Sequence, residues 1–131
     1  KLYSVELYRQ IDALLAADGV MVTQATSSFF SPHAFSIVAS TVSAGQPDRR
    51  VYPYSTNIPS FGEWGFVLST RDPGQLLAGA LPSGLTYQSA PLLRFIVVDN
   101  PPTTEPSEPS TLLHPRIVET YNSDMRQWRY Y

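Results

Sequence analysis

The chain has 131 residues, 43% of them hydrophobic and 15% charged, which suits one globular domain with a buried core and excludes a disordered chain. A net charge of −2 and a pI near 5.6 argue against a nucleic-acid binder, which would carry a basic face. With no cysteine, disulfides and thiolate metal sites are excluded and the redox compartment stays open. No apolar run reaches the roughly 18 residues of a transmembrane helix, and the N-terminus lacks the charged-then-apolar pattern of a signal peptide. Lys1-Leu2-Tyr3-Ser4 leads straight into a helical pattern without an initiator Met, so the chain is expected to be a piece of a longer protein.

Ser4 is a candidate helix cap, with Glu6 favourably placed in the first turn. Val5, Tyr8, Ile11 and Leu14, joined by Leu15, form an apolar stripe at helical spacing, and Gly19 marks its end. Val20 to Gln24 is a short apolar run with a polar end, the pattern of a parallel strand buried on both faces. A polar loop, Ala25 to Phe30, precedes Ser31-Pro32, a cap followed by proline at the first helical position. Phe35, Val38, Ala39 and Val42 form that helix's inner face, and Gly45 closes it. Gln46 to Arg50 reads as a polar turn. Val51 to Ile58 reads as a strand in which Pro53 weakens a central placement. Gly65 to Ser69 is the returning strand of an antiparallel hairpin. Helix, strand, helix and hairpin together look like the closing half of an α/β sheet.

Beyond Arg71-Asp72-Pro73, residues 73 to 81 are expected to hold a short helix. Leu92 to Val98 is apolar and fits either a strand or a buried helix. Pro101, Pro102, Pro106 and Pro109 make residues 100–110 an extended linker or surface arm. Pro115 then opens a last helix, with Val118, Tyr121, Met125 and Trp128 on one face. The expected division is 1–72 for the sheet, 73–99 for an extension, 100–110 for the linker and 111–131 for the final helix.

Nucleophilic and metal chemistry find little support. His33 and His114 each sit beside a proline at a predicted helix start and read as surface or capping residues. No His-x-x-x-His pair or acidic cluster offers a metal site, and Gly62 and Gly65 precede a strand rather than opening a helix. Two features remain. Gln24 lies at the carboxyl end of its strand, where open α/β sheets bind ligands, and its amide both donates and accepts. Its alternative role is local backbone satisfaction. The second feature is the stretch NIPSFGEWGF, residues 57–66. Pro59 fixes an extended entry, and Gly62 and Gly65 permit conformations closed to other residues. Phe61 and Trp64 are placed to form an apolar wall, and Glu63 to meet a cation. The alternative is a hairpin whose aromatics cap the core.

The segment LYSVELYRQIDALLAADGVMVTQATS resembles the spermidine synthase (polyamine aminopropyltransferase) family, with Glu6-Leu7-Tyr8, Gly19-Val20 and Gln24 in the matching places. NIPSFGEWGFVLSTRDP is similar to that family's Ile-Pro-Thr-Tyr-Pro-x-Gly-x-x-Gly-Phe segment, through Ile58-Pro59-Ser60-Phe61 and Gly65-Phe66. LPSGLTYQSAPLLRF and a late helix with Tyr121 and Trp128 resemble the bacterial subgroup whose synthase domain is fused to membrane helices. The resemblance implies the C-terminal half of a Rossmann-like, methyltransferase-type α/β sheet with a reversed final hairpin, plus a C-terminal helix. It implies transfer of an aminopropyl group from decarboxylated S-adenosylmethionine to putrescine, releasing methylthioadenosine. Gln24, Pro59, Ser60, Phe61, Glu63 and Trp64 would then line the amine pocket. Phe61 stands where many members have tyrosine, which removes one hydrogen bond to substrate.

The Gly-rich donor loop and the catalytic carboxylates of that family are expected upstream of Lys1. This piece alone is therefore expected to bind no cofactor and to be inactive. The expected setting is a cytoplasmic domain, tethered to a membrane in the intact protein, with self-association covering the open strand edge. A non-catalytic binding or assembly module on the same scaffold is the alternative function, favoured by Phe61. A methyltransferase of the same architecture is a third reading, and the Pro-Ser-Phe-Gly segment speaks against it.

Overall fold

A computed structural model of the chain describes residues 2–72, 74, 81–86 and 88–129. Helix α1 (Val5–Leu14) starts at Ser4, whose hydroxyl accepts the Leu7 amide at 3.2 Å and so satisfies one of the helix's unpaired N–H groups. Val5 and Tyr8 are buried, with Ile11 and Leu15 packed beside the core. Burial pushes the Tyr8 phenol up to about 12, so the ring stays neutral there. Leu14, expected on the same stripe, is 87% exposed. The helix ends at that residue, and Leu15, in extended conformation, takes the inward place instead.

Strand β1 (Val20–Gln24), helix α2 (Pro32–Gly45) and strands β2 (Arg50–Ile58) and β3 (Gly62–Thr70) follow. The sheet order is β1-β3-β2, and β3 runs antiparallel to both neighbours, with Gln24 opposite Phe66 and Ile58 opposite Gly62. The mixed α/β fragment with a closing antiparallel hairpin is thus present. Pro53 lies in β2, which borders the sheet, where a missing backbone donor is tolerated.

Side chains alternate across the sheet. Met21 and Val67 face α1 and α2 and join Tyr8, Phe35, Val38, Ala39 and Val42 in the core. Val20 and Val22 face the other way and are 43% and 50% exposed. β1 was expected to be buried on both faces. Among the described residues it has β3 as its sheet neighbour and its second face is left about half exposed, so its burial alternates instead.

The apolar run whose type the sequence left open is helical: α3 (Ala90–Arg94) is capped by the Ser89 hydroxyl and passes into a π-helical stretch, Phe95–Asp99. That stretch packs on β2. The short helix expected at 73–81 falls almost entirely outside the described residues. Residues 100–110 form no regular element. The Glu105 amide donates to Ser36 Oγ at 3.1 Å and the Ser110 amide to Thr41 Oγ1 at 2.9 Å, which hold the segment along α2. Ser110 O in turn accepts the Val5 amide at 2.9 Å.

The last helix, α4 (Ile117–Arg126), packs on α2 by a face turned from the expected one: Tyr121 still borders Val38 of α2 and Trp128 packs on Phe29 and Phe30, but Val118 does not take part. Val118 is 73% exposed, whereas Ile117 meets the core and Asp124 is buried. The cause is electrostatic. Ser31 gives α2 no side-chain cap, and Asp124 supplies one from α4: Oδ2 accepts the Ala34 amide at 3.0 Å and Oδ1 meets His33 Nδ1 at 2.7 Å. An anion at a helix N-terminus is favourable, and here it turns α4 so that Asp124 faces inward. Among the described residues no helix is long and apolar enough to cross a membrane.

Candidate functional site

The β2–β3 hairpin ends in a tight turn. The Phe61 amide donates to Ile58 O at 3.0 Å, Pro59 takes the second turn position, and Ser60 takes a positive φ of 74° at the third. Gly62 follows at φ 84°, which only glycine adopts without penalty. Gly65 is glycine for another reason than backbone freedom. A Cβ there would lie 2.5 Å from Phe35 Cε2 and 2.5 Å from Thr26 O, so α2 and the end of β1 approach the hairpin through that gap.

The same gap creates a bulge. Gly65 O accepts the Ala25 amide at 2.9 Å, while the Gly65 amide donates to Thr26 O at 2.6 Å, so two residues oppose one. Thr26 sits at φ 65°. The bulge comes directly after Gln24, the last residue of β1 in register, opposite Phe66. Gln24, Ile58, Phe61, Trp64 and Phe66 enclose a cleft of about 310 Å³. The Phe61 and Trp64 rings lie edge to face, 6.1 Å between centroids at 76°. Phe61 is 75% exposed, so its ring forms a wall rather than a core plug.

Three of the sequence-predicted residues, Gln24, Phe61 and Trp64, therefore meet in one cleft. Pro59 and Ser60 shape the turn that carries Phe61 and do not line the cleft. Glu63 is directed elsewhere. Its Oε1 accepts the Ser28 amide at 3.1 Å and the Ser28 hydroxyl at 2.6 Å, and its Oε2 accepts the Ser27 hydroxyl. Burial alone would raise the Glu63 pKa. Hydrogen bonds from Ser27, Ser28 and Ser55 outweigh that and hold it below the usual carboxylate range. The carboxylate is therefore an anchor for the 27–30 turn. Ser27 Oγ also accepts the Phe29 and Phe30 amides, and the Trp128 indole donates to Phe30 O at 2.9 Å. His33 is paired with Asp124, and His114 lies away from the cleft; neither lines it. Among the described residues no cluster suits a metal ion.

The cleft combines ring faces, which attract a cation, with an amide that donates and accepts. Among the described residues that line it, none is a nucleophile or base.

No protein-family model matches the chain. It is 39% identical over 130 residues to a polyamine aminopropyltransferase of Corynebacterium efficiens, covering 97% of the chain and 24% of that relative. It is 38% identical over 138 aligned positions to polyamine aminopropyltransferase 1 of Streptomyces coelicolor, covering all of the chain and 24% of that protein. A polyamine aminopropyltransferase of Mycobacterium tuberculosis is 37% identical over 136 positions, again with 24% of its length covered. The chain spans about a quarter of the length of the curated relatives it matches. Nearly all of the chain thus aligns, at 37–39% identity, with part of proteins of one kind, the polyamine aminopropyltransferases.

Proposed function

We propose that this chain supplies one wall of the amine site in an enzyme that transfers an aminopropyl group from decarboxylated S-adenosylmethionine to putrescine. The observation that carries the reading is the convergence of Gln24, Phe61 and Trp64 on one cleft at the carboxyl end of β1. The Gln24 amide orients the acceptor amine, and the Phe61 and Trp64 rings flank its alkyl chain and charge. Pro59 and Ser60 hold Phe61 in place, and Glu63 holds the adjoining 27–30 turn. In the reaction the amine lone pair attacks the aminopropyl carbon next to the sulfonium. A C–N bond forms and the C–S bond breaks with its electron pair going to sulfur, giving methylthioadenosine. An amine is mostly protonated near neutral pH and needs a base to receive its proton. We assign that base, and the donor pocket, to the part of the intact protein beyond these residues. The membrane tether and a second subunit covering the open β1 edge belong to the same proposal.

Gln24→Ala in the intact protein tests it. Losing a hydrogen bond to a charged group costs about 1.5–3 kcal/mol, so the acceptor KM is expected to rise roughly ten- to a hundredfold. The donor KM stays where it was. An unchanged acceptor KM overturns the reading.

A further inference from the structure

The tip of the β2–β3 hairpin overhangs the rest of the sheet. β1 ends at Gln24, opposite Phe66, and the bonds just after it reach Gly65 through Ala25 and Thr26. Residues 57–64 run on past that point as a two-stranded ribbon and carry Phe61 and Trp64. A two-stranded ribbon twists more than a sheet and holds its shape poorly by itself. Sheet bonding from β1 therefore fixes Gln24 but not the aromatic side of the cleft.

Glu63 ties the overhang down. It lies next to Trp64, and its carboxylate accepts from Ser27 and Ser28, which directly follow the bulge. The turn it grips is braced in its own right. Ser27 Oγ accepts the Phe29 amide at 3.1 Å and the Phe30 amide at 2.9 Å. From just beyond α4, the Trp128 indole donates to Phe30 O at 2.9 Å, and its ring centroid lies 5.5 Å from that of Phe29 and 5.2 Å from that of Phe30. Hydrogen bonds thus run from Trp128 through Phe30, Ser27 and Glu63 to the strand that carries Trp64. Neither Trp128 nor the 27–30 turn lines the cleft.

We propose that Trp128 is a positioning residue for acceptor binding: through the 27–30 turn and Glu63 it sets the spacing between Gln24 and the Phe61–Trp64 wall. The proposal rests on reading that wall as the amine site. It gives the segment after α4 a part in acceptor affinity without contact with the acceptor.

The test is saturation kinetics of the intact protein, with 1,4-diaminobutane and the aminopropyl donor varied separately. Trp128→Phe keeps a ring and removes the indole N–H. Acceptor KM is expected to rise about three- to tenfold, the effect of one neutral hydrogen bond, with kcat and donor KM within about twofold. Ser27→Ala cuts the relay at its middle and should raise acceptor KM likewise; it serves if the fold does not tolerate a change at Trp128. Glu63→Ala should raise acceptor KM about tenfold or more. Adding Trp128→Phe to Glu63→Ala should change nothing further, because the link is already cut. Independent multiplication of the two effects overturns the relay. So does a loss that falls equally on kcat or donor KM, which is what a merely structural role gives. An acceptor KM unmoved by Trp128→Phe and Ser27→Ala, while Gln24→Ala raises it, overturns the relay and leaves the amine wall standing. If Gln24→Ala has no effect either, the amine wall falls and the relay with it.

Discussion

Gly65→Ala is expected to destabilise the intact protein by about 2–4 kcal/mol, near the upper end for overpacking. The new Cβ would lie 2.5 and 2.7 Å from two carbons of the Phe35 ring and 2.5 Å from Thr26 O. Neither neighbour has room to yield. Phe35 is fully buried at the centre of the core, and Thr26 O is backbone that accepts the Gly65 amide itself. Any relief must pull the bulge away from β3, and Gln24 and Trp64 flank that bulge. Acceptor KM should therefore rise together with the fall in stability. Gly62→Ala provides the contrast. Its Cβ would meet nothing within 4 Å, so the cost is confined to the positive φ, about 1–2 kcal/mol. Urea midpoints at constant m-value read both changes. Equal losses at the two positions, or a loss at Gly65 below that at Gly62, would show that close approach is not what fixes the glycine.

Arg49→Ala is the second large effect, about 3–5 kcal/mol, the range for removing one partner of a buried ion pair. The Arg49 side chain is completely buried. Nε donates to Asp12 Oδ1 at 2.5 Å, Nη1 to Gly19 O at 2.7 Å and Nη2 to Ala16 O at 3.3 Å. One guanidinium thus ties the end of α2 to α1 and to the turn that delivers the chain into β1. Truncation takes the donor from Gly19 O and from a mostly buried carboxylate, while Ala16 O keeps the Gly19 amide at 2.9 Å. Arg71 reaches the other Asp12 oxygen at 3.5 Å but is itself 43% exposed, so it is a weak substitute. Arg49→Lys keeps the charge and loses the planar fork, so it should recover part of the stability but not all. Chemical denaturation of the three proteins side by side is the measurement. A loss under about 1 kcal/mol for Arg49→Ala would mean the network is screened like a surface pair.

Arg49 also shows where the sequence stops being informative. Gln46 to Arg50 has the composition of a solvated turn, yet Arg49 is buried because acceptors from α1 and its following turn converge on it. Periodicity reports which face of an element is apolar. It does not report which distant element will dock there. The helix α1, the α2 core face and the β2–β3 hairpin were legible because their signals are local: a cap, a stop glycine, a proline turn. The inward face of α4 was not, because it is decided by Asp124 and the uncapped start of α2, about 90 positions apart. A carboxylate in an otherwise apolar helical stripe was the one available hint. The cleft proposed as the amine wall was half legible. Gln24 and NIPSFGEWGF stand out by residue type, whereas the turning of Glu63 toward Ser27 and Ser28 depends on a bulge that no spacing rule marks.

The amine wall itself is tested most directly by saturation kinetics of the intact protein carrying Phe61→Ala, with acceptor and donor varied separately. Phe61 is exposed and packs edge to face on Trp64, so its loss should change the cleft without unfolding the hairpin. The acceptor KM is expected to rise about tenfold, the effect of removing a ring face from a bound cation, with the donor KM unchanged. An acceptor KM equal to that of the unmodified protein would contradict the assignment of this cleft to the amine.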